Sequence, residues 1–223
     1  MGGLSLRYVM QREEFIDNLR LASRLLGTAT LRSADLWLTP KSVEGFNADD
    51  FADWPAQDRD QLSSEAMAFL SVAAPGDKPA TKAQSKQARK HLERVIEIVR
   101  RHLLPEWLDA QKHMLEEATA AAKKKGWFFE EDEKEMQESL LGTYKAPRLR
   151  IRTLNNEVLL DPIARFGSGR QGVVDLVVMP TFETAYLVVF KDGEWQIVSP
   201  RGAMHRRPFS QTTLVNTITT LAH

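Results

Sequence analysis

The sequence predicts an α+β fold, with a helical N-terminal half packed on a four- to five-stranded antiparallel meander and a closing C-terminal helix. Two observations carry this. Apolar residues recur at helical spacing through about residue 141, and from residue 148 the period drops from 3.6 to 2, with turn-forming residues between short β-rich runs. The third is compositional. Of 223 residues, 43% are hydrophobic, 30 basic side chains balance 30 acidic ones, and cysteine is absent. These values describe an ordinary globular chain and exclude a disulfide framework, thiolate metal sites and a thiol nucleophile.

The elements follow in order. Phe15, Leu19, Ala22 and Leu26 place a helix over 11–26, with Gly27 as its stop, and a second helix is expected over 58–73. Between them, Leu36, Trp37, Leu38, Phe46, Phe51 and Trp54 stand among Pro, Gly, Asn and Asp, the pattern of an irregular loop pinned by buried aromatics. The stretch Ala74 to Pro79 breaks all periodicity and divides the chain into a helical extension, 1–76, and a helical hairpin plus antiparallel sheet domain, 80–223. Thr81 with Gln84 forms a capping-box start, and Ala88, Leu92, Val95, Val99 and Leu103 mark one helical face. An interior proline removes a backbone hydrogen bond and crowds the preceding turn, so a break or sharp kink is expected at Pro105. The helix beyond it closes on Lys123, Lys124, Lys125 and Gly126. A short third helix is expected over 130–141 and ends at Gly142.

Strands are expected at 148–152, 158–166, 173–179, 185–191 and 195–199. Asp192-Gly193 is the tightest hairpin signal, because glycine supplies the positive φ of a two-residue turn. Leu214, Val215, Ile218 and Leu221 predict the final helix.

Centring the turn on residue 182 sets Asp175 opposite Val189, with Lys191 diagonally adjacent on the same face. Gly172-Val173-Val174-Asp175-Leu176-Val177-Val178 followed by Tyr186-Leu187-Val188-Val189-Phe190-Lys191 resembles the sheet core of the PD-(D/E)xK nuclease superfamily. The resemblance implies hydrolysis with a divalent metal, Asp175 as a ligand and Lys191 helping to activate water. The position of the second acid is taken by Val189, leaving Glu135 or Glu138 of the preceding helix to supply a carboxylate. The run from Tyr186 through Trp195 to Ser199 is similar to the closing hairpin of NTF2-like proteins, which implies an apolar pocket with Tyr186 or Trp195 near it.

Arg148, Arg150 and Arg152 share one strand face, and Arg201, His205, Arg206 and Arg207 follow the last expected strand, so the two groups together are a candidate anion-binding surface. Residues 145–223 carry a net charge of +4, well short of a dedicated nucleic-acid domain, so nucleic acid ranks behind a protein as the expected partner. His102, Glu106, Asp109, His113 and Glu116 lie near one line, but opposite the apolar face, where a solvated stripe is expected rather than a metal site. Gly167-Ser168-Gly169 precedes a strand rather than a helix and lacks a phosphate-loop ending.

Every catalytic pattern lacks an essential residue. The sequence therefore favours a non-enzymatic partner-binding or scaffold protein that engages a protein partner or another copy of itself and needs no cofactor and no metal. No stretch reaches 18 consecutive apolar residues and the N-terminal residues lack a leader-like apolar core, so neither membrane association nor export is expected, and the cytoplasm is the expected location.

Overall fold

The computed structural model describes residues 12–26, 43, 46–73, 81–166, 172–191, 193–199 and 206–221. It is α+β: a helical N-terminal half, an open antiparallel sheet and a C-terminal helix. The sheet has seven strands in sequence order, not four or five. These are β1 (Phe128–Glu138), β2 (Gly142–Arg152), β3 (Glu157–Ala164), β4 (Gly172–Met179), β5 (Glu183–Lys191), β6 (Glu194–Val198) and β7 (Arg206–Pro208). The helices are α1 (Arg12–Leu26), α2 (Ala56–Ala73), α3 (Lys82–Lys125) and α4 (Gln211–Thr220).

Two expectations are overturned. The segment read as a third helix is strand β1, because its charges pair across the sheet: Asp132 with Arg148 on β2, Glu133 with Lys145 on β2, and Lys134 with Asp161 on β3. Local helix propensity loses to these long-range pairs. The break expected at Pro105 is absent, and α3 runs through it. Pro105 lies exposed between the buried Leu103 and Trp107, so its lost hydrogen bond falls on the water side while packing holds the helix on the other.

The chain forms two compact units, one comprising Met1–Leu104 with Ser139–Gly142 and the other Pro105–Glu138 with Thr143–His223. The segment 74–80, where the sequence suggests a boundary, lies outside the described residues, as do Leu36, Trp37 and Leu38. In the first unit the expected aromatic anchors are present. Phe51 packs against Phe15 and Trp54, with ring centroids 5.6 and 4.6 Å apart, and Trp54 stacks on His102 at 4.1 Å. His102 Nε2 lies 2.9 Å from Asp58, and Arg100 Nε donates to Leu140 O at 3.0 Å.

In the second unit the C-terminal half of α3 is fastened to the sheet by tryptophans. Trp107 is buried, and its indole N–H donates to the Tyr144 hydroxyl at 3.2 Å. Its ring lies on the backbone of Gly172, where an added Cβ would stand 2.2 Å from Trp107 Cζ3. Trp195 on β6 donates from Nε1 to Ala110 O at 3.0 Å and packs on Phe190. Leu149, Ile151, Val158, Leu160, Val174, Leu176, Val188 and Ile197 fill the sheet core. Helix α4 begins at a capping box on Ser210 and Thr213 and buries Leu214, Thr217 and Ile218.

Candidate functional site

Asp175 stands on β4 opposite Asp161 on β3 and Leu187 on β5. It is not opposite Val189, which pairs with Val173. The register differs because the β4–β5 turn begins earlier than symmetry about residue 182 requires: Glu183 already pairs with Val178, and a bulge at Leu176/Val177 takes up Ala185. Lys191 pairs with Glu194, four residues along β5 from Leu187, or roughly 13 Å of strand. Its side chain lies outside the described residues.

The lysine that does approach this row is Lys134. Its Nζ lies 2.7 Å from Asp161 Oδ2 and donates to Pro162 O at 3.0 Å. Arg148 holds Asp132 through two bonds of 2.8 and 2.5 Å, and its Nη1 lies 3.9 Å from Asp161 Oδ1. Among the described residues that buried Oδ1 accepts no hydrogen bond. Thr184 Oγ1 donates to Asp175 Oδ2 at 3.0 Å. Burial lifts the Asp175 carboxyl above its ordinary value; the Thr184 bond opposes this, the neighbouring Asp161 charge adds to it, and Lys134 opposes it. The Arg148 hydrogen bonds, against partial burial, hold Asp132 below its ordinary value.

Glu135 and Glu138 lie on strand β1, not on a helix. Glu138 accepts bonds from the Tyr144 hydroxyl and from the Arg165 N–H. Burial, followed by the Glu138 bond, pushes the Tyr144 phenol well above its ordinary value. Arg165 is buried beside Trp107 and Phe166 and reaches Glu106 at 3.2 Å.

The arginines are not brought together. Arg148 is held by Asp132, while Arg150 and Arg152 both face Glu157, at 3.6 and 2.8 Å. Arg206 and Arg207 lie on β7, with four strands between them and β2. Arg201 and His205 lie outside the described residues. Tyr186 sits half-buried opposite Leu176, and Trp195 is occupied by Ala110, Phe190 and Trp107. Of the helical polar stripe, Glu106, Asp109, His113 and Glu116 are exposed, and among the described residues no group of three or more His, Asp or Glu side chains could hold a metal ion.

Asp161 and Lys134 were not legible in the sequence, nor was Gln111, which is buried on α3 with neither amide atom hydrogen-bonded among the described residues. The sequence hides a surface as well. In an antiparallel meander the start of β1, the β2–β3 turn and the β4–β5 turn share one end of the sheet. Each carries an exposed large apolar side chain: Phe128 at 58%, Leu154 at 101% and Phe182 at 67%. Phe182 also has φ 59°, unusual for an aromatic residue, and its N–H donates to Val178 O at 2.9 Å. Arg152 lies over the Phe128 ring at 5.6 Å, and the exposed Lys123, Lys124 and Lys125 end α3 three to five residues before Phe128. Compared with protein families, curated proteins and solved structures, the chain matches none. Among the described residues no helix is long and apolar enough to cross a membrane.

Proposed function

We propose that the protein acts by binding rather than by catalysis, and that it docks through the end of the sheet bearing Phe128, Leu154 and Phe182. The observation that carries this reading is the exposure of three large apolar side chains at one end, one of them in a left-handed backbone conformation. Single exposed apolar residues are commonplace, but a group of them on neighbouring strand ends and turns is the kind of surface a partner covers. A strained residue that contributes nothing to the core points the same way.

The charges around these residues suit a second copy of the chain. Lys123, Lys124 and Lys125 share this end with the exposed Glu130 and Glu183, so a two-fold arrangement lets the cations of one copy face the acids of the other. Zero net charge removes long-range repulsion between copies. Sedimentation velocity over a hundredfold range of protein concentration tests the reading. The wild type is expected to shift from monomer towards dimer as concentration rises, and the combined variant F128S/L154S/F182S to stay monomeric with an unchanged melting temperature. A wild type that remains monomeric throughout, or a variant that dimerises equally well, overturns it.

A further inference from the structure

We propose that Asp161 and Asp175 form a pH-sensitive pair across β3 and β4, holding one proton between them in acid and opposing each other as two carboxylates when that proton is lost. This goes beyond the binding surface and does not depend on it. The two residues are direct partners in the β3–β4 ladder, which brings their Cβ atoms within about 5.5 Å. Asp161 uses Oδ2 on Lys134, whereas its buried Oδ1 has no donor among the described residues. A protonated Asp175 supplies one: its O–H points at Asp161 Oδ1 while its other oxygen keeps the bond from Thr184. No bond is broken, and the proton is exchanged with water.

The groups around the pair set its response. From β1, Lys134 favours ionised carboxylates; from β2, Arg148 stands 3.9 Å from Asp161 Oδ1 but is committed to Asp132; from β5, Thr184 donates and Leu187 is apolar. Lys134 therefore directly contacts only Asp161, and the direct polar partner of Asp175 among the described residues is the Thr184 hydroxyl. Because the folded protein holds the Asp175 proton more tightly than the unfolded chain does, the resulting stability is fully present below the ordinary aspartate value. It is lost as pH rises through the raised value.

The test is a carbon-detected NMR titration of the Asp175 carboxyl, with thermal unfolding of wild type and Asp175→Asn at pH 4 and pH 8. Asparagine mimics the protonated residue, donating to Asp161 and accepting from Thr184. Asp175 is expected to titrate above an ordinary aspartate and to move downward in Asp161→Asn. Thr184→Val, at an exposed position, is expected to move it upward. Asp175→Asn should raise the melting temperature more at pH 8 than at pH 4. An ordinary wild-type titration, or an equal change in melting temperature at both pH values, overturns the proposal. So does stabilisation of the wild type, but not of Asp175→Asn, by millimolar Mn²⁺, which would make the pair a cation site.

Discussion

Asp175 owes its chemistry to its burial on β4 and to its neighbours across the ladders, not to Lys191, sixteen residues along the chain. Burial raises the Asp175 carboxyl, Thr184 restrains it and the Asp161 charge adds to the rise. Asp161 is placed by the β3–β4 register, and a bulge and an early turn shift the β4–β5 register by two residues, setting Leu187 in place of Val189 across from Asp175. The sequence shows Asp175 as an acid inside an apolar run, and that much was legible. Its true neighbours were not, because Asp161 sits in another apolar run and Lys134 in a segment whose charges read as helix. A second buried polar group depends on the same kind of distant pairing. Tyr144 accepts from Trp107 and donates to Glu138, so Tyr144→Phe removes both bonds and leaves the buried indole N–H without this acceptor. Urea unfolding should report a loss of about 1–3 kcal/mol for this variant, since the unsatisfied donor carries a desolvation penalty. A loss below about 0.5 kcal/mol would mean that the hydroxyl is dispensable to the packing.

The elements divide into those written in local pattern and those that only tertiary context decides. Helices α1 and α2 and strands β3 to β6 follow their expected spans within a few residues, because their periodicity agrees with the face they bury. β1 has no such agreement. Its eleven residues include seven ionised side chains, which suit an edge strand whose acids meet β2 arginine and lysine and whose charge discourages further pairing. Pro105 misleads for the opposite reason, since the packing of Leu103 and Trp107 on either side outweighs a local breaker. The contact that fastens α3 to β4 was equally hidden: Gly172 stands just before the strand expected at 173–179, yet it is the flat backbone on which Trp107 lies. Gly172→Ala drives a methyl into that ring and should cost about 1–3 kcal/mol in urea unfolding followed by tryptophan fluorescence. An unchanged midpoint would show that the indole can move aside freely.

On the scale of the whole molecule, the architecture was visible in the change of period near residue 148, whereas the docking surface was not. Phe128, Leu154 and Phe182 are separated by 26 and 28 residues, and only the alternating direction of the strands brings them to one end. Nothing in local sequence distinguishes them from core residues until the strand order is known. Their exposure, and not any catalytic constellation, is what the account rests on. The absence of cysteine allows a clean test, because Leu154→Cys introduces the sole thiol in the chain. Leu154→Cys carrying a nitroxide label is mixed with isotope-labelled wild type, and intermolecular broadening of the amide resonances is recorded. Broadening is expected to concentrate at Phe128, the β2–β3 turn and the β4–β5 turn. Broadening confined to another face, or none at a concentration where the dimer is populated, would contradict it.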